Sequence, residues 1–229
     1  MIVPEDVLLM KVYDGSVSRG PQALSGENQA KEEMTPASPL AFYAELMDRS
    51  IALSLRKSGA EEAAETFLES FGEGMKADRT AIFELKEGHV YHNTYEWCAA
   101  GILPMKEVLQ NLPESMFAPG QSEAFREGSG YMIRDMEKLR TVDPAAFAAL
   151  HRRNVDRFYV LPLFRSGKYA GFFSIDDPPE DMDACMPLFR MAAGYLSSLL
   201  EKRDAADTMH KLTYVDDVTG YYSIQVFKG

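Results

Sequence analysis

The 229-residue chain carries 24 Lys and Arg against 35 Asp and Glu, a formal net charge of −11, with 46% hydrophobic and 11% aromatic residues. That hydrophobic content suffices for a packed core and excludes wholesale disorder. The acidic balance argues against a nucleic-acid partner, which needs a basic surface, and suits a cytoplasmic protein.

No basic, apolar leader opens the chain, so no signal peptide is expected. Its most apolar span, Ala184 to Leu200, includes Pro187, Arg190 and Gly194 and reads as a packed helix rather than a membrane crossing. Cys98 and Cys185 lie too far apart for a metal-ligand spacing or a disulfide framework.

Residues 1–38 form an N-terminal segment and linker of unassigned role. A short apolar run, Val7 to Tyr13, ends at Asp14-Gly15, and a Gly-, Ser- and Pro-rich stretch follows. From Pro39, apolar residues Leu40, Tyr43, Leu46, Met47, Ile51 and Leu55 recur at helical spacing. Ser58-Gly59-Ala60-Glu61 has the pattern of a capping box and starts a second helix, with Ala64, Phe67, Leu68, Phe71 and Met75 on one face.

The period then changes to two. Thr80 to Leu85 and His89 to Cys98 flank Glu87-Gly88 as an antiparallel hairpin. Leu103 to Gly130 mixes Pro, Gly and short helical pieces, the kind of irregular segment that often carries binding sites. Tyr131-Met132-Ile133 reads as a short strand, and Asp143-Pro144 opens a helix with a cap and a first-turn proline.

A second hairpin joins Phe158–Phe164 to Lys168–Asp176 through Ser166-Gly167, with Pro162 marking an edge or a bulge. A long helix follows, with Pro187 in its first turn. Leu188, Ala192, Tyr195, Leu199 and Met209 make a seam of heptad character, suited to packing on the same domain or on a partner subunit. The order implies an α+β fold, one antiparallel sheet with terminal helices on one face and loops and short helices on the other.

These residues resemble a known family. Ala77-Asp78-Arg79-Thr80-Ala81-Ile82-Phe83-Glu84 is similar to the first strand of GAF domains, and Asn93-Thr94-Tyr95-Glu96-Trp97-Cys98 with Gly101 to the second strand of a bacterial subgroup. Leu161-Pro162-Leu163, Gly167, Gly171-Phe172 and Ile175-Asp176-Asp177-Pro178 resemble the pattern that closes such domains. The resemblance implies a GAF sensor domain over residues 39–200.

Residues 201–229 carry the end of the signalling helix and a segment, Leu212 to Tyr222, that resembles the opening of GGDEF domains, which make cyclic di-GMP. Ser223, Ile224 and Gln225 depart from the family's usual Asn-Arg-Arg, and no catalytic part is included. The resemblance therefore implies a regulatory module that is not itself an enzyme, dimerises through its helices, and controls a GGDEF-type output domain.

The ligand pocket that the resemblance implies lies between the sheet and the irregular region, with Tyr91, Asn93, Tyr95, Trp97 and Tyr159 as candidate lining residues. The effector is an unidentified small molecule; no cofactor, metal or catalytic residue is assigned. Cys98 reads as a small residue of a buried strand rather than a reactive thiol, and no His follows it as in a bilin-attachment motif. Two alternatives stay open: a ligand-free dimerisation scaffold, and a chromophore- or haem-bearing sensor.

Overall fold

The computed structural model describes residues 38–87, 89–114, 125–180 and 185–214. The linker over 1–37 and the GGDEF-like segment from Val215 onward lie outside them.

Helix α1 (Pro39–Ser54) starts where the Ser38 hydroxyl accepts from the Ala41 N–H at 3.2 Å, with Pro39 in the first turn. Helix α2 (Ala60–Met75) begins after Gly59, which makes no side-chain cap, so the expected capping box is not formed. The dipole is instead met by Glu61 and Glu62 in the first turn. Left-handed Lys76 ends α2 and turns the chain into the sheet.

The sheet contains β1 (Arg79–Lys86), β2 (Val90–Cys98), β3 (Leu112–Pro113), β4 (Tyr131–Ile133), β5 (Phe158–Arg165) and β6 (Lys168–Asp176). Its order is β3-β2-β1-β6-β5-β4, and every neighbouring pair is antiparallel. Ser166 and Gly167 both take positive φ, so the β5–β6 turn has the hand that suits a twisted hairpin. β4 pairs only with Phe158 to Val160, so on that side β5 has no paired neighbour at Pro162, where the missing N–H costs nothing.

Between β4 and β5 lie α3 (Met136–Val142) and α4 (Pro144–His151); α5 (Met186–Tyr214) follows β6. Asp143 caps α4 by accepting from Ala146 N–H at 3.0 Å, as the Asp-Pro pair suggests. Two cores result, one on each face of the sheet. On the helix face, Phe67, Phe71, Phe173, Phe189 and Leu196 are fully buried between α1, α2, α5 and the strands. Each such side chain contributes about 1.5–3 kcal/mol. On the loop face, Phe83, Tyr91, Phe125, Val160 and Phe172 pack under α3 and α4.

Gly171 sits on β6 against the backbone of Phe83 and Glu84 in β1. A Cβ there would stand 2.0 Å from the Phe83 carbonyl oxygen, and its φ of 142° suits glycine alone.

Candidate functional site

The β1–β2 ladder decides which side chains reach the loop face. Ile82 pairs with Tyr95 but Phe83 pairs with Asn93, so Thr94 is an extra residue that reverses the phase of β2. Its hydroxyl donates to the Ile82 carbonyl at 3.4 Å and occupies the bulge. Tyr91 and Asn93 therefore face the loops, whereas Tyr95 and Trp97 face the helices.

Between the loop face of the sheet and its cover lies a cavity of about 440 Å³. Phe83, Phe172, Val160, Phe158 and Ile133 form its floor, from four different strands. Ala146, Ala149 and Leu150 of α4 form one wall; Met105, Val108 and Leu109 from the crossing between β2 and β3, with Leu112 of β3, form another, and Phe125 contributes as well. Arg152 and Arg153 supply its charged lining. The volume falls within the range of small-molecule sites, and an apolar enclosure with a few convergent polar groups is their usual chemistry.

None of the five residues expected from the sequence lines this cavity among the described residues. Tyr91 lies beneath it, fully buried against Phe172, with its hydroxyl 3.1 Å from that of Tyr169. Asn93 donates to Glu96 at 3.0 Å, and its carbonyl accepts from Gln110 at 2.8 Å. Glu96 in turn accepts from the N–H groups of Met105 and Lys106, at 2.7 and 2.9 Å. Asn93 thus helps hold the segment that walls the cavity. Tyr95, Trp97 and Tyr159 lie on the opposite face, where Trp97 packs over Gly72 and Tyr159 against Phe189.

A polar cleft of about 220 Å³ adjoins the cavity and shares Met105, Arg152 and Arg153 with it. At its base Asp176, 1% exposed, accepts from Arg79 at 2.7 Å and Arg153 at 2.6 Å. Arg79 also donates to the Leu103 carbonyl at 2.7 Å and lies 3.2 Å from Glu96. Burial opposes the charge on Arg79, but Asp176 and its other neighbours outweigh that and raise its pKa. These bonds tie the first strand and the last strand to the Leu103 and Arg153 loops.

On the other face, Glu84 is fully buried and accepts from Arg203 of α5 at 2.8 Å and from Arg165 of β5 at 2.6 Å. Asp204 of α5 pairs with both arginines. Burial pushes the Glu84 carboxyl up, but the Arg203 bonds more than offset this and leave its pKa at about 2.

The α5 seam expected to pair subunits is largely occupied within the chain. Ala192 is 0% exposed and Leu199 6%, while Leu188 and Tyr195 are half-buried against the helix-face core. Met209 alone of the five stands out, at 66% exposed. Apolar surface is exposed elsewhere, at Leu40, Phe42 and Leu55 of the α1 region and at Met191 of α5.

Neither cysteine lines the cavity: Cys185 is buried under the helices, and Cys98 is half-buried at the end of β2. Burial raises the Cys98 pKa despite its bond to Arg79. Among the described residues no His, Cys, Asp and Glu cluster could hold a metal, and no helix is long and apolar enough to cross a membrane.

No protein-family model matches the chain, and no curated protein matches it in sequence. Solved structures match it in fold. A biliverdin-bound protein in its far-red absorbing dark state superposes with a TM-score of 0.61 at 16% identity, over 69% of this chain and 99% of that one. The phycoerythrobilin-bound GAF domain of a cyanobacterial phytochrome gives 0.59 at 14% identity, over 72% and 97%. The chromophore-binding domain of Stigmatella aurantiaca phytochrome P1 gives 0.54 at 16%, over 74% and 62%. The fold is that of a GAF domain, an antiparallel six-stranded sheet with flanking helices.

Proposed function

We propose that this GAF-fold chain is a sensor module whose effector is a small apolar molecule bound in the cavity under α4. The observation that carries this reading is the apolar enclosure of about 440 Å³ against the central strands. Phe83 meets the ligand on one face of β1. On the other face, the next residue holds α5 through Arg203. A ligand acts by favouring one arrangement of that strand and helix over another, by its differential affinity for the two.

In the same proposal the module works as a cytoplasmic homodimer. It regulates, rather than catalyses, by relaying the state of α5 to a GGDEF-type cyclic di-GMP domain that follows Leu212–Tyr222. That arrangement rests on the sequence resemblance. The face open to a partner is the outer surface of α1 and α5, at Leu40, Phe42 and Met191.

A second reading has support from the fold neighbours, two of which hold bilins. Against covalent attachment stands the absence of both cysteines from the cavity lining. An absorption spectrum after expression with biliverdin distinguishes the two: a visible band in the purified protein supports the chromophore, and a colourless protein removes it.

The main reading is tested by thermal unfolding against a panel of small apolar metabolites, in the wild type and in Ala149→Trp, which fills the cavity. Stabilisation of the wild type but not of the variant is the expected result. A dimer that no panel member stabilises would instead indicate a ligand-free scaffold.

A further inference from the structure

The charges around the cavity are unevenly matched. Arg79 and Arg153 are neutralised by Asp176 and Glu96. Arg152 lines both the cavity and the adjoining cleft, and its side chain makes no hydrogen bond or ion pair with the described residues. The buried Nε of Arg153 likewise has no hydrogen-bond partner among them, while its guanidinium lies 5.8 Å over the Phe158 ring. Two acidic residues line the cleft, Asp176, already paired with Arg79 and Arg153, and Asp78, and neither lines the apolar cavity.

The two arginines follow the last turn of α4, where the carbonyls of Ala148, Leu150 and His151 are already engaged. The Arg152 N–H donates to Ala148, those of Arg153 and Val155 to Leu150, and that of Asn154 to His151. The charged groups at the polar end of the cavity are therefore the guanidinium donors of Arg152 and Arg153. Its apolar end is defined by rings: Phe83, Phe125, Phe158 and Phe172 converge on it. Rings favour a flat, ring-bearing guest, and a guanidinium favours a carboxylate, to which it can present two parallel N–H groups.

We infer that the cavity takes a ring-bearing apolar monocarboxylate, with its rings among the four phenylalanines and its carboxylate on Arg152. The inference rests on the cavity being the ligand site, as proposed above, and adds the chemical class of ligand. A neutral ligand of the same shape leaves Arg152 unpaired, and an amine places a cation against the uncompensated charge of Arg152.

The test is isothermal titration of the full chain with three matched probes: 2-naphthylacetic acid, its carboxamide and the corresponding 2-naphthylethylamine. The acid is expected to bind about tenfold or more tightly than the carboxamide, as one charge-assisted pair implies. Arg152→Gln brings the acid to the carboxamide's affinity and leaves the carboxamide unchanged, and Arg152→Lys restores part of the preference. Ala149→Trp abolishes binding of all three.

Equal affinity for acid and carboxamide, tighter binding of the amine, or no effect of Arg152→Gln overturns the inference while leaving the cavity as the ligand site. Binding that survives Ala149→Trp, or no binding of any probe to the wild type, overturns the site as well. The Arg152 side chain is solvent-exposed and bonded to no described residue, so its substitution leaves the fold intact, and thermal unfolding of the variant checks this.

Discussion

Phe83 and Glu84 are adjacent in β1 and face opposite sides of the sheet, the ring walling the apolar cavity and the carboxylate accepting from Arg203 of α5 at 2.8 Å. Strand alternation alone creates this arrangement. It makes β1 the shortest covalent path between the cavity and the long helix.

The Glu84 pairing fixes a stability prediction. Removing one partner of a buried ion pair leaves the other charge uncompensated, at a cost of about 3–5 kcal/mol. Glu84→Gln, which keeps the shape and leaves Asp204 as the one carboxylate on Arg203 among the described residues, is expected to lower stability by about 3 kcal/mol in urea unfolding. A loss below about 1 kcal/mol would mean that the pair behaves as an exposed one.

The same group sets an acid limit. Its folded pKa of about 2 lies below the unfolded value of about 4.3, so the ionised form favours the folded state. That contribution, about 3 kcal/mol, is fully present above pH about 4.3 and is lost as pH falls toward 2. Arg203, Arg165, Lys86 and Asp204 surround the site, and Asp204 is depressed in the same sense. Wild type is expected to lose stability across this window, and Glu84→Gln to lose less. Parallel pH curves would contradict the assignment.

Gly171 admits no side chain. A Cβ 2.0 Å from the Phe83 carbonyl oxygen collides with backbone rather than with a yielding side chain. Gly171→Ala is expected to cost about 4 kcal/mol or more, among the largest single-residue effects, or to yield insoluble protein. Near-native unfolding would show that the central strands can separate.

Three helices meet at one hydroxyl. Ser54 donates to the Ala63 carbonyl at 2.6 Å and accepts from the Tyr195 hydroxyl at 2.8 Å. Ser54→Ala and Tyr195→Phe are each expected to cost about 1–2 kcal/mol, with a double variant less costly than the sum because they share a bond. Strict additivity of the two losses would dissolve the proposed link.

For subunit pairing, light scattering at micromolar concentration is expected to give a dimer for the wild type and a monomer for Phe42→Glu, which charges the exposed face of α1. A wild-type monomer, or a dimer indifferent to Phe42→Glu, would exclude pairing through that face.

The two terminal helices, the two hairpins, the long helix and the Asp143 cap were legible because each depends on local periodicity or turn chemistry, whereas the two-residue β3 and the short α3 were not read from the sequence. The lining residues were not. Strict alternation in β2 assigns Tyr91, Asn93, Tyr95 and Trp97 to one face, and a single inserted residue, Thr94, splits them between two. The pairing that creates the bulge is not encoded in β2 alone.

Arg203 and Glu84 are similarly remote in sequence, and nothing near either residue marks the other. The heptad-like seam of α5 was visible, but periodicity cannot tell a partner subunit from α1 and α2 of the same chain. Arg152 and Arg153 stand beside His151 as an ordinary basic run. Only the fold brings them to the mouth of an apolar cavity.

The most direct measurement of coupling between cavity and helix is amide hydrogen exchange on the wild-type chain, with and without saturating 2-naphthylacetic acid. Slower exchange is expected in α4 and in the Met105–Leu112 segment, together with a changed rate in the part of α5 that carries Arg203. Protection confined to the cavity walls, with α5 unaltered, would contradict a sensor that signals through β1.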